Sequence, residues 1–299
     1  MGLWRSVEGY EEDGDFLVLS GGDNWTGPAI STWFEGESTV DVMNAMNYSA
    51  TAIGNHEFDF TVEGLRDRIA QAHFPFLSAN IRLEGTDTPP DFAAPYVIKN
   101  VNGIRVGLLG LTTTSTPQTA FPTYVENYDF IPYWDALQQW VPVVRGAGAD
   151  IVIVLGHFCY NEMLSVLPAA RDLGVAVLTG GHCNELVGEV REGVALVVGG
   201  WRFANYGRVE IGFDEGTRAV TRLQSGTRVN TGGSPDPAVE AVVSGWKQAA
   251  EGELSGVIGY AEKTVSDGSP ELHNLITDSW LFAYPNADIA MSNAGGVRQ

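Results

Sequence analysis

IVIVLGHF (151–158) runs through five aliphatic residues without alternation, stops at Gly156 and hands over to His157. A short continuous apolar run of this kind marks a strand buried on both faces. The pattern recurs in FLVLSGGDN (16–24), TAIGNHE (51–57) and VAVLTGGHCN (175–184). VGLLGLT (106–112) and ALVVGGW (195–201) are similar runs that end without an obvious ligand. Between the runs lie stretches with helical periodicity: STVDVMNAMN (38–47), TVEGLRDRIAQA (61–72), DALQQWV (135–141) and NEMLSVLPAARDL (161–173). Strand and helix in alternation predict an α/β fold.

The polar residues after these runs fall in a pattern. Asp23, Asn55, His157 and His182 each follow a strand end by a few residues, with a glycine just before. In parallel-rich α/β sheets the C-terminal strand ends share one edge, where ligands bind. Glycine lets the chain turn sharply there. Asp, Asn and His supply the oxygen and nitrogen donors that borderline divalent metals accept. Any one of the four reads equally well as a turn or cap residue; all four together point to a metal site.

The length of 299 residues allows about two domains at roughly 150 residues each. A hydrophobic content of 44% with 18% charged residues excludes a disordered chain. The net charge of −20 repels nucleic-acid polymers and anionic membranes. Only Lys99, Lys247 and Lys263 are lysines, a swap toward Arg that a high-salt habitat or a GC-rich genome gives equally. No apolar run approaches 18 residues, so no membrane span is expected. MGLWRSVEGYEEDGD at the start has no signal-peptide pattern and reads as an acidic amphipathic helix. Cys159 and Cys183 follow His157 and His182 by two residues and one; two buried thiols are favoured over a disulfide or sulfur ligation. His73 and His273 read as structural, and SGWK (244–247) as a chance motif. Of two glycosylation patterns, at Asn24 and Asn47, the first is discounted because it adjoins Asp23.

After about residue 213 the character changes. Residues 213–237 read as a strand or two and then a linker, and 237–252 as a helix. A strand is expected over 257–265, a helix over 271–284 and a strand over 287–293, opening a second unit.

GGDNWTGPAIS (21–31), GNHEFD (54–59), GHF (156–158), GGHCN (180–184) and NAGGVR (293–298) come in one order along the chain. This order resembles the 5′-nucleotidase family of dinuclear metallophosphatases, which includes UDP-sugar hydrolases and 2′,3′-cyclic-nucleotide phosphodiesterases. FPFLSANI (74–81) and NGIRVGLLGLTT (102–113) are similar to its connecting strands. The resemblance implies a four-layer α/β/β/α calcineurin-like sandwich and hydrolysis of nucleotides or related small phosphate esters. The attack would be in line, by hydroxide generated at two metals. It implies that Asp23 bridges the metals and that Asn55, His157 and His182 complete the second. Asn184 stands where the family usually has His or Gln on the first metal. His56 and Asp59 resemble its catalytic dyad; a histidine beside the metals donates to the phosphoryl or leaving oxygen while Asp59 orients it and favours its charged form. Asn293 and Arg298 match residues that contact the nucleotide. Expected metals are Mn, Zn, Co or Fe, with Mg less suited to imidazole. The family also implies export to the periplasm, cell surface or exterior.

The family pattern opens with Asp-x-His, which occurs nowhere in this chain. The expectation is therefore a fragment cut at both ends and lacking the first strand. Residues 1–215 would be the metallophosphatase domain, 216–252 a linker strand and helix, and 253–299 the beginning of the C-terminal substrate-binding domain. The rival expectations are a catalytically incomplete metal- or ligand-binding remnant and a thiosulfate-ester hydrolase of the same superfamily. The His–Asp pair argues against the latter.

Overall fold

A computed structural model describes residues 1–257, 259–266 and 269–292. The chain begins with a helical turn at Trp4–Glu8, then β1 (Leu19–Ser20), α1 (Ala29–Trp33), α2 (Glu37–Ala45) and β2 (Ala50–Ala52). α3 (Thr61–Gln71), β3 (Phe76–Leu77), β4 (Ile81–Leu83), β5 (Tyr96–Val101) and β6 (Ile104–Leu111) follow. Short helices α4 (Thr116–Thr119) and α5 (Pro122–Val125) lead to β7 (Tyr128–Phe130) and α6 (Tyr133–Gly146). Next come β8 (Ile151–Gly156), α7 (Tyr160–Asp172), β9 (Val177–Thr179), β10 (Leu186–Arg191) and β11 (Val194–Gly199). β12 (Asn205–Asp214) and β13 (Ala219–Val229) form a hairpin, and α8 (Pro237–Leu254) and α9 (Pro270–Ala283) complete the order.

The apolar runs become central strands. β8 is buried along its whole length. It lies in a six-stranded sheet of order β10-β11-β9-β8-β6-β5. The inner pairs of that sheet are parallel, and its two edge strands are antiparallel. β1, β2 and β3 form a separate parallel sheet.

Both sheets are covered on both faces. Leu137, Val141 and Val144 of α6 and Met163, Val166 and Leu167 of α7, at helical spacing, bury one face of the large sheet. Ala50, Ala52 and Leu77 of the small sheet meet Leu108, Ile153, Leu155 and Val197 of the large one. Val40 and Met43 of α2 and Leu65 of α3 pack with Ile53, Phe58 and Phe76 on the outer side of the small sheet. The layers are therefore α/β/β/α. Each fully buried Leu, Ile or Val contributes roughly 1.5–3 kcal/mol relative to exposure, so these interfaces hold the strand ends in place.

Three expectations change. The boundary at 215 falls inside the turn of the β12–β13 hairpin. Val209, Ile211, Val220 and Leu223 pack on the core between the sheets, so the expected linker strand belongs to the sandwich. The N-terminal helix stops early: Gly9, at φ 69, caps it, and Tyr10 N–H closes on the Trp4 carbonyl. The strands expected over 257–265 and 287–293 do not form among the described residues there; a lone strand leaves its backbone groups unpaired, and no neighbouring strand is described beside them. No helix among the described residues is long and apolar enough to cross a membrane.

Candidate metal centre

The loops after β1, β2, β8 and β9 meet at one edge. His157, fully buried, places Nδ1 2.7 Å from the Gly21 carbonyl. A carbonyl only accepts, so Nδ1 carries a proton. Nε2 then faces Asp23 Oδ2 at 3.1 Å and Asn55 Oδ1 at 3.2 Å. A neutral His157 would bring three lone pairs to one point, an arrangement that needs either an imidazolium proton or a cation between them.

His182 completes the group. Its ligand nitrogen, a carboxylate oxygen of Asp23 and a ring nitrogen of His157 lie within 4.8 Å of one another. Two metal–ligand bonds span roughly 4.0–4.4 Å, so the donors fit a divalent cation with a small inward closure. Burial favours the neutral His182 imidazole and lowers its pKa, and the neighbouring His157 adds to this. Burial alone would raise the Asp23 carboxyl, but the His157 and His56 groups outweigh it and bring it down to about 2. Burial likewise opposes charge on His157, but the Asp23 carboxylate holds its pKa above the ordinary value.

His56 and Asp59 lie together. Nδ1 and Oδ2 are 2.7 Å apart, one helical turn apart along His56–Phe58 and its cap. The His56 N–H donates to Asp23 Oδ1 at 2.9 Å, which ties this pair to the metal cluster.

Glu57 received no role from the sequence, although it sits in the GNHE motif. It is fully buried, and Oε2 accepts from Gly54 N–H at 2.6 Å and Asp23 N–H at 2.8 Å. Oε1 accepts from Asn24 N–H at 2.7 Å and the Asn24 side-chain amide at 3.1 Å. Glu57 thus latches the β1 loop to the β2 loop. Asp23 sits at φ 56, a conformation L-residues adopt rarely, so its orientation depends on such support. Gly54 is required at this junction: a Cβ there would come within 2.3 Å of Asp23 Oδ1. Burial, then the Asp23 charge, push Glu57 up to about 7 against the pull of its N–H donors. An acid in the same motif as the candidate ligand Asn55 and the dyad histidine His56 was the available signal. Asn24 is committed to Ser20, Thr51 and Glu57.

The expected free thiols are corrected: Cys159 and Cys183 form a disulfide, with Cα atoms 5.1 Å apart. β8 and β9 are parallel neighbours, so their outgoing loops lie side by side within bonding range. Asn184 is exposed at φ 57, two residues beyond His182 on the same turn. Asn293 and Arg298 lie outside the described residues.

A four-layer sandwich with Asp and His donors at its strand-end edge defines the calcineurin-like metallophosphoesterase class. Residues 17–189, more than half of the chain, match the family model described as bacterial capsule synthesis protein PGA_cap, and the chain belongs to that family. Its homologues and structural neighbours are 5′-nucleotidases and related metallophosphoesterases. A snake venom 5′-nucleotidase of Naja atra is 29% identical over 94% of this chain and 60% of its own length. The 5′-nucleotidase of Bos taurus is 29% identical over 94% of this chain and 55% of its own length. The chain therefore spans little more than half of these relatives. The crystal structure of a 5′-nucleotidase precursor from Thermus thermophilus superposes with a TM-score of 0.74 at 25% identity, covering 95% of this chain and 60% of that one.

Proposed function

We propose that this chain carries the catalytic core of a metal-dependent hydrolase of nucleotides or related small phosphate esters. The supporting observation is the convergence of Asp23, Asn55, His157 and His182 beside the His56–Asp59 pair. In this reading those four residues hold one divalent ion, and Asp23 and Asn184 contribute to a second. The imidazole-rich donor set favours Mn, Zn, Co or Fe over Mg. Bound ions would neutralise phosphoryl oxygens and acidify water.

The chain's own groups do the rest. Asp59 holds His56 through Nδ1, which orients the ring. The ring then acts through Nε2, donating to a phosphoryl or leaving oxygen. Glu57 keeps Asp23 turned toward His157. The sandwich, hairpin included, is the catalytic unit through residue 229; α8 links it to the start of a substrate-binding unit, in which Asn293 and Arg298 would meet the nucleotide. The disulfide suits an oxidising compartment, hence export. One relative is a venom enzyme and another, of Listeria monocytogenes, is called a cell wall protein.

One observation favours a rival, the incomplete remnant: among the described residues a single group of His, Cys, Asp or Glu side chains fits an ion. Metal stoichiometry with added Mn, measured beside hydrolysis of adenosine monophosphate, separates the two. Two ions per chain with hydrolysis supports the enzyme; one or none without hydrolysis refutes it for this chain.

A further inference from the structure

His157 and His182 share an expected role but are held in different ways. His157 is buried, and its ring is surrounded by Gly21, Asn55 and Asp23. His182 is partly exposed with its backbone at φ 56, and among the described residues no hydrogen bond reaches its imidazole. Its turn, residues 180–185, is tied by a few backbone bonds. Gly180 N–H donates to Val197, Gly181 N–H to Phe158, Cys183 N–H to Gly181 and Gly200 N–H to the Glu185 carbonyl, and the Glu185 carboxylate accepts the Tyr160 N–H at 2.6 Å; none of these reaches the His182 ring. An imidazole with this little support loses rotamer freedom when it ligates, and that entropy subtracts from affinity.

The covalent constraint falls beside it. Cys183, the residue after His182, is bonded to Cys159, two residues after His157. Cys159 caps α7, and Glu162 Oε2 accepts its N–H at 2.9 Å, so this end is anchored to a helix start. The Gly181–Phe158 and Glu185–Tyr160 hydrogen bonds join the same two loops, but the disulfide is the tie at the residue next to His182, with the two imidazole centroids 5.2 Å apart.

We propose that the Cys159–Cys183 disulfide is the positioning element that holds the His182 imidazole opposite His157 for metal binding. This rests on the metallophosphoesterase reading above. The test compares the full chain with its Cys159→Ser/Cys183→Ser variant. Mn affinity is measured by calorimetry, and the metal-free imidazole resonances by nitrogen-15 NMR. Removing the bond should weaken Mn binding by roughly 10–100-fold, as loss of a ligand's orienting partner does. The His182 ring resonances should shift toward those of a free imidazole while those of His157 stay in place. His182→Ala placed on the double-serine background should add little further loss, because the imidazole is already displaced; a merely structural disulfide would give additive losses. Unchanged Mn affinity, or additive losses, overturns the proposal. If the parent chain binds no Mn, the metallophosphoesterase reading fails. The positioning role is then judged on the His182 resonances alone, and their indifference to the double substitution overturns it.

Discussion

His157→Ala and His182→Ala remove the same side chain from the same expected ion, yet their effects on the metal-free fold should differ widely. His157 is fully buried, and its Nδ1 satisfies the Gly21 carbonyl across 136 positions of chain. Truncation leaves that carbonyl unpartnered at roughly 1–3 kcal/mol. It also opens a cavity, and large-to-small changes in such sites cost about 2–5 kcal/mol in total. Asp23 loses the group that does most to hold its carboxyl down, which acts in the same direction. A net loss of about 3–5 kcal/mol follows, or roughly 6–20 °C in Tm at about 2–4 °C per kcal/mol for domains of this size. His182 is partly exposed and makes no hydrogen bond among the described residues, so its removal should cost under about 1 kcal/mol. Both variants should bind Mn poorly. The assay is thermal and urea unfolding after chelator treatment, with calorimetry for Mn. Equal Tm losses in the metal-free state, or a loss below about 1 kcal/mol for His157→Ala, would refute the reasoning.

His56→Ala should keep its metal content and lose roughly 10²–10⁴-fold in turnover, followed on a phosphate monoester; metal loss would make His56 a ligand. Glu57→Gln keeps the volume but sets an amide N–H against two of the four donors that Glu57 now accepts. Mn affinity should fall by roughly tenfold or more, and an unchanged calorimetric titration would remove Glu57 from the positioning role. Saturating Mn, at about 100 times its Kd, should stabilise the parent chain by about 2.7 kcal/mol. A melting curve that ignores Mn would count against any tight site.

The strand ends and their ligand candidates were legible because that information is local. A buried parallel strand needs an unbroken apolar run, and a side chain turned in at its end needs a small residue before it. FLVLSGGD, TAIGNH, IVIVLGH and VAVLTGGH each carry both within ten residues. His56 and Asp59 were legible for the same reason, being three positions apart. What stayed hidden depends on partners distant in the chain. Glu57 acquires its role from N–H groups 33 and 34 positions away, in the loop after a different strand. The disulfide forms because β8 and β9 lie side by side, which the spacing of 24 residues does not reveal. Residues 213–229 were read as strand, but as strand outside the sandwich, because their partial burial comes from packing against the core between the sheets, which exists only once the layers have closed. Side-chain period is a property of the chain itself, whereas burial and bonding partners exist only after the layers have closed.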